Sequence, residues 1–192
     1  KIQFLPQIAY IENFGDAVNT RYNEISPLQS LNIQNKFYFS SDREGNAGSQ
    51  RNKKGEPDDL GGVYFYDMLA VELNNGNYTP TLNFNYEQNT SSHEILQDFN
   101  RDGSAMYYTR YSELGNMRIL TDTFGTTELS EKLENKIELP ISLKDGDKDY
   151  RIINDSIIVF SSKRDGGYGG YDIYFAKKSN ENWSQIVNAG PN

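Results

Sequence analysis

The sequence predicts an all-β protein assembled from short, four-stranded antiparallel units. Short aromatic and β-branched runs recur along its 192 residues, and polar turn signals separate them. One apolar-then-hydroxyl signature also returns three times. β-Branched and aromatic residues suit a pleated, half-buried surface, while Gly, Asn and Asp supply the reversals between strands.

The clearest unit runs from Ile157 to Ala176. Ile157 to Phe160 is a short apolar strand, and Ser161-Ser162-Lys163-Arg164 turns polar. Asp165 to Gly170 carries four glycines in five positions, a composition that reads as a tight reversal. Asp172-Ile173-Tyr174-Phe175 is the returning strand.

Two looser copies precede it. The anchor appears as Phe37-Tyr38-Phe39-Ser40-Ser41-Asp42-Arg43 and as Met106-Tyr107-Tyr108-Thr109-Arg110. A turn signal leads into each of the three anchors: Asn35-Lys36, Asp102-Gly103 and Asn154-Asp155. The expected third strands are Val63-Tyr64-Phe65-Tyr66, Met117-Arg118-Ile119-Leu120 and Asp172-Ile173-Tyr174-Phe175. Fourth strands are expected near Tyr78, Lys136 and Trp183, with Glu134-Asn135-Lys136 matched to Glu181-Asn182-Trp183. Helix is expected at most as a turn or two over Glu128 to Glu134.

Four short strands repeated every ~50–70 residues is the sequence picture of β-propeller blades, with a β-sandwich as the alternative. The reading is one β-propeller region over 1–192. Residues 1–20 form the last strand of a preceding blade and its seam, 21–90 a first blade with a long loop at 44–62, 91–147 a second and 148–192 a third. About three blades are part of a ring of roughly six to eight, the rest expected from the same polypeptide.

Composition narrows the function classes. A net charge of −8 repels phosphate backbones and argues against nucleic acid as partner. No apolar run approaches the ~20 residues of a membrane-spanning helix. There is no cysteine, hence no disulfide framework and no cysteine-based metal site.

The block Phe160-Ser161-Ser162-Lys163-Arg164-Asp165-Gly166-Gly167-Tyr168-Gly169-Gly170-Tyr171-Asp172-Ile173-Tyr174 resembles the WD-like, TolB-type β-propeller repeat of bacterial envelope proteins. Trp183 and Asn188-Ala189-Gly190-Pro191-Asn192 match the tryptophan and seam of that repeat, and Val18 to Pro27 is similar to its link between blades. Copy two departs from the pattern, with Tyr111-Ser112-Glu113-Leu114 in place of the glycine loop. The long insertion Asn46 to Leu60 also lies outside it. The resemblance extends to repeats in Bacteroidetes-type periplasmic and outer-membrane lipoproteins. There they accompany tetratricopeptide and OmpA-like domains, some in the type IX secretion and gliding machinery. It implies a non-catalytic scaffold in the periplasm or at the outer membrane, with other envelope proteins as partners and no cofactor.

Candidate binding residues follow from position and chemistry. Arg43, Arg110 and Arg164 recur at one repeat phase, which suggests pairing with an acid of a neighbouring blade or, alternatively, a cationic ring for an anionic ligand. Tyr168 lies within the glycine loop and Tyr171 just after it, and Arg51, Lys53 and Lys54 lie in the long insertion, a plausible contact element or a solvated loop.

Catalytic and metal chemistries find little footing. His93 is the only histidine, lacks the second histidine of a zinc-binding helix and falls at a strand entry; no G-x-S-x-G elbow exists. Asp145-Gly146-Asp147-Lys148-Asp149 alternates like an EF-hand loop but lacks its glycine and terminal glutamate, so a solvated turn is expected. Asp42, Glu94, Asp165 and Asp172 are the candidate acids of a glycan-binding or glycan-cleaving propeller, the rival reading. Asp42 and Asp172 are accounted for by turn capping.

Overall fold

The computed structural model of the chain describes residues 12–79, 81–83, 88–111, 117–123 and 135–191. It is all-β, with one 3₁₀ turn at Leu143–Asp145. The expected helical stretch, Glu128 to Glu134, lies outside the described residues.

Three antiparallel sheets follow one another. The first joins β1 (Glu24–Gln29), β2 (Lys36–Ser41) and β3 (Asp67–Asn74), with β4 (Asn77–Tyr78) and β5 (Leu82–Asn83) both pairing with β3. The second is β6 (His93–Phe99), β7 (Ala105–Tyr111), β8 (Met117–Thr123) and β9 (Asn135–Lys136) in that order. The third joins β10 (Lys148–Ile153), β11 (Ile157–Ser162) and β12 (Asp172–Ser179), with β13 (Asn182–Trp183) and β14 (Val187–Asn188) on β12.

Tight turns fix the registers. Asn75-Gly76, Asn154-Asp155 and Asn180-Glu181 each place two successive residues at positive φ, from 48° to 81°. That is the type I′ geometry whose twist matches a right-handed hairpin, and Asn and Gly tolerate it best.

Side chains alternate between the faces, and each interior face meets its neighbour. Tyr38, Met68 and Ala70 of the first sheet pack with Leu96, Met106, Tyr108 and Leu120 of the second. From its other face, Ile119 and Tyr107 pack with Tyr150, Ile158, Phe160, Tyr174 and Ala176 of the third. Each fully buried Leu, Ile, Met or Phe among them contributes ~1.5–3 kcal/mol. Phe39, Leu69 and Val71 are covered from the other side by Phe14, Ala17 and Val18 of the entering segment. The first strands lie side by side, β6 touching both β1 and β10.

Pairing registers show how far the sheets are equivalent. Glu24 faces Ser41, Glu94 faces Arg110, and Lys148 faces Ser161, which sets Asp147 at the level of Ser162. Each first strand then carries a bulge at the same place: between Ile25 and Leu28, between Leu96 and Asp98, and between Lys148 and Arg151. Asn83, Lys136 and Asn188 pair with the equivalent residues Leu69, Leu120 and Tyr174.

Two expectations are corrected. Val63-Tyr64-Phe65-Tyr66 is not the third strand, which is Asp67–Asn74. Met68, Leu69, Ala70 and Val71 are all buried and pair with β2, whereas Val63 makes only an isolated bridge to Arg51. Asn135–Lys136 is likewise not the counterpart of Asn182–Trp183, because its register on β8 matches that of β5 and β14.

Candidate functional site

The topology brings the candidate residues to one end of the sheets. Arg43 and Arg164 follow β2 and β11, Arg110 closes β7, and the loops bearing Arg51, Lys53, Lys54, Tyr168 and Tyr171 leave from the same end.

At Arg43 the guanidinium is fully engaged. Nε donates to Ser41 Oγ (3.1 Å), Nη2 to Glu24 Oε1 (3.1 Å) and to the Val18 carbonyl (2.7 Å), and Nη1 to Thr81 Oγ1 (3.3 Å). Its carbon lies 5.2 Å above the Phe39 ring, a cation–π distance. Thr20 Oγ1 donates to the same Glu24 oxygen at 2.6 Å, so the entering chain and the first sheet share one carboxylate. Burial pulls the Arg43 guanidinium below its ordinary range, against the opposing effect of Glu24.

Arg164 repeats the arrangement. Nε donates to Ser162 Oγ (3.1 Å), Nη2 to Asp147 Oδ2 (2.6 Å), and the carbon lies 5.1 Å from the Phe160 ring centre and 5.2 Å from that of Tyr174. Asp147 also accepts the Ser142 N–H at 2.7 Å.

Arg110 reaches the same end by another route. Its register places it opposite Glu94, in the slot that Ser41 and Ser162 occupy in the other sheets, two residues short of Arg43 and Arg164. From there Nε donates to Glu94 Oε1 (2.8 Å) and Nη2 to the Gln88 carbonyl (3.0 Å). Thr90 donates its N–H and its hydroxyl to Glu94, as Thr20 does to Glu24. Burial pushes the Glu94 carboxyl up, opposed by the Thr90 hydrogen bonds and by Arg110.

The common-phase expectation is therefore corrected, because only Arg43 and Arg164 share a phase. So is the expected partner: each arginine pairs with the acid at the entrance of its own sheet, not with a neighbour's. The arginines are clamps, with side chains only 12%, 14% and 17% exposed in chain order. Asp147, expected in a solvated turn, is instead buried and paired with Arg164, and Glu24, read only as part of the link between blades, is the partner of Arg43. The Thr-x-x-x-Glu spacing at Thr20–Glu24 and Thr90–Glu94 is the signal that marks the first two clamps.

Of the remaining candidate acids, Asp42 and Asp172 serve turns, while Asp165 is exposed at the start of the glycine loop. Asp42 accepts the Asn23 N–H at 2.7 Å and its side-chain amide at 2.8 Å. Asp172 accepts the N–H groups of Tyr168 (2.8 Å) and Gly169 (3.1 Å). Asp67, its counterpart at the start of β3, accepts the Ala47 N–H at 2.7 Å, so residues 43–48 repeat the glycine loop of the third copy. Asp67 is buried; desolvation pushes its carboxyl up to about 7, with the Ala47 bond opposing and Glu94 adding to the rise. Among the described residues, no three His, Asp or Glu side chains converge as metal ligands.

The insertion begins after Gly48 rather than at Asn46, and its backbone is tied internally. Arg51 and Val63 exchange both backbone hydrogen bonds, at 2.8 and 2.9 Å, and Asn52 Oδ1 accepts from Lys54 and Glu56. Leu60 is fully exposed at its far side and Val63 largely so. His93 starts β6 as a strand-entry residue, stacked between Phe65 (4.1 Å) and Tyr111 (4.5 Å), while its Nδ1 accepts the Tyr66 N–H. On the third sheet Tyr168 is exposed, and Tyr171 has the ammonium groups of Lys148 and Lys163 4.3 and 4.5 Å from its ring centre.

Compared with known proteins, the chain matches no protein-family model and no curated protein.

Proposed function

We propose that the three sheets are consecutive blades of a β-propeller that serves as a non-catalytic, protein-binding scaffold. The assembly it belongs to is one of the outer membrane or periplasm of a Gram-negative bacterium, in the style of secretion or gliding machinery. The carrying observation is the register: three antiparallel sheets share one bulge position, one face order and one clamp level.

Binding is favoured over catalysis by the state of the acids. Of the four candidate acids, Asp42, Glu94 and Asp172 are committed to backbone N–H groups or an arginine, as is Asp147, which is structural work, and Asp165 lies exposed at the start of the glycine loop. The contact surface would be the loop end, where the tied insertion presents Leu60 and Val63 with Lys53 and Lys54 nearby, and the glycine loop presents Tyr168. Among the described residues no helix is long and apolar enough to cross a membrane.

The test is cross-linking mass spectrometry on the protein purified from its own envelope fraction. Cross-links from Lys53 and Lys54 to other envelope proteins are expected. A protein recovered alone, with a positive glycan array or hydrolase screen, overturns the scaffold in favour of the sugar-handling alternative.

A further inference from the structure

The third sheet has two apolar faces and covers only one. Ile158, Phe160, Tyr174 and Ala176 pack toward the second sheet. On the opposite face Ile173 is 53% exposed, Phe175 38% and Val187 47%, with Ile157 and Val159 half-buried beside them. Pairing puts Phe175 against Val159 and Val187, so these side chains form one continuous patch.

Register identifies what this face is. Ser161, Ile173 and Phe175 stand at the positions of Ser40, Met68 and Ala70 in the first sheet, and of Thr109, Ile119 and Thr121 in the second. Both of those faces are covered by the sheet that follows. The contact includes a directed bond: Ser40 Oγ accepts the N–H of Leu96, on the first strand of the following sheet, at 3.0 Å.

The chain leaves the third sheet as it enters the first. Gly190 N–H donates to Asn188 Oδ1 at 2.8 Å with Gly190 at φ +101°, and Gly15 N–H donates to Asn13 Oδ1 at 2.7 Å with Gly15 at φ +73°. From Asn13, Asn83 and Lys136 the same eleven-residue step leads to the clamp acids Glu24, Glu94 and Asp147.

We propose that the Ile173–Phe175–Val187 face is the docking surface for a fourth antiparallel sheet of the same repeat, carried by the same polypeptide after the Asn188–Gly190 turn. That sheet presents a face of the Tyr108 and Phe160 kind. Its first strand donates an N–H to Ser161 Oγ, and its clamp acid lies eleven residues after Asn188. The inference rests on the propeller reading and assigns its next contact.

The chain has no cysteine, so single thiols report cleanly. Ile173→Cys and, as a second probe, Val187→Cys are introduced separately into the native polypeptide and into the 192-residue chain, with Asn77→Cys, outside the proposed contact surface, as an exposed reference. Reaction with a thiol reagent is expected to be at least tenfold slower than the reference at positions 173 and 187 in the native polypeptide, and comparable to the reference in the 192-residue chain. Fast reaction in the native polypeptide overturns the inference. So does a native polypeptide ending at Asn192, protection already present in the 192-residue chain, or protection that needs a second protein. Fast thiols together with envelope cross-links sink the fourth sheet alone; slow thiols in a protein without partners sink the scaffold reading alone.

Discussion

Asp67→Asn tests the electrostatics of the first sheet. Asp67 is buried at the start of β3, and its carboxyl is raised from the ordinary 3.8 to about 7, chiefly by desolvation and further by nearby Glu94. The raised value fixes the sign. Below pH ~4 the carboxyl is protonated in both folded and unfolded chains and costs nothing. Between pH ~4 and ~7 the unfolded chain releases the proton while the folded one keeps it, so stability falls as pH rises, and it levels off above ~7. At ~1.36 kcal/mol per pH unit the displacement corresponds to ~4 kcal/mol at most, and relaxation around the ionised form brings the expected figure to ~2 kcal/mol. Asparagine keeps an oxygen that can accept the Ala47 N–H and removes the titration. Part of the loss is already present at pH 5, so urea denaturation at pH 5 and pH 8 should show the variant gaining ~1–2 kcal/mol relative to the parent between the two pH values. An equal difference at both, or a variant that loses ground at pH 8, refutes the desolvation argument.

Further outcomes follow from the clamps and the glycine loop. Arg164→Ala leaves the fully buried Asp147 carboxylate without its cation and should cost ~3–5 kcal/mol. Lys178→Ala removes an exposed pair with Glu181 and should cost under ~1 kcal/mol, and chemical denaturation of both variants checks the contrast. Gly167→Ala would drive its Cβ into the Asp172 carboxylate that holds Tyr168 and Gly169. A loss of ~1–3 kcal/mol, with faster hydrogen exchange at those two amides, is expected.

How much of this the sequence disclosed varies with the kind of signal. Strands β2, β7 and β11 were legible because aromatic and β-branched runs end in hydroxyl residues and arginine, and the Asn154-Asp155 turn carries its own conformational preference. Val63 to Tyr66 misled because its residues have strand propensity. Tertiary context decided otherwise: Phe65 stacks on His93, Tyr66 bonds to the first strand of the next sheet, and the ladder passes to the more apolar Met68 to Val71. The displacement of Arg110 was illegible for a different reason. Arginine is long and flexible enough to reach one carboxylate from either of two backbone positions, so spacing alone does not reveal which is used. The role of the acids as arginine partners was hidden because a partner at a sheet entrance is defined by cross-strand register, which single-sequence periodicity does not carry.

The bulges in the first strands also bear on solubility. β1, β6 and β10 are edge strands, and an edge with an unbroken row of free N–H and C=O groups invites another chain to extend it. In this protein that row is interrupted at the same level in all three, with Ser26 and Asp149 turned to positive φ (53° and 50°) in two of them. A stray strand laid along any of these edges loses its register within a few residues. With no cysteine to lock the sheets, the interruption is a backbone defence against strand-to-strand aggregation, and the bulges protect the assembly as well as shape it.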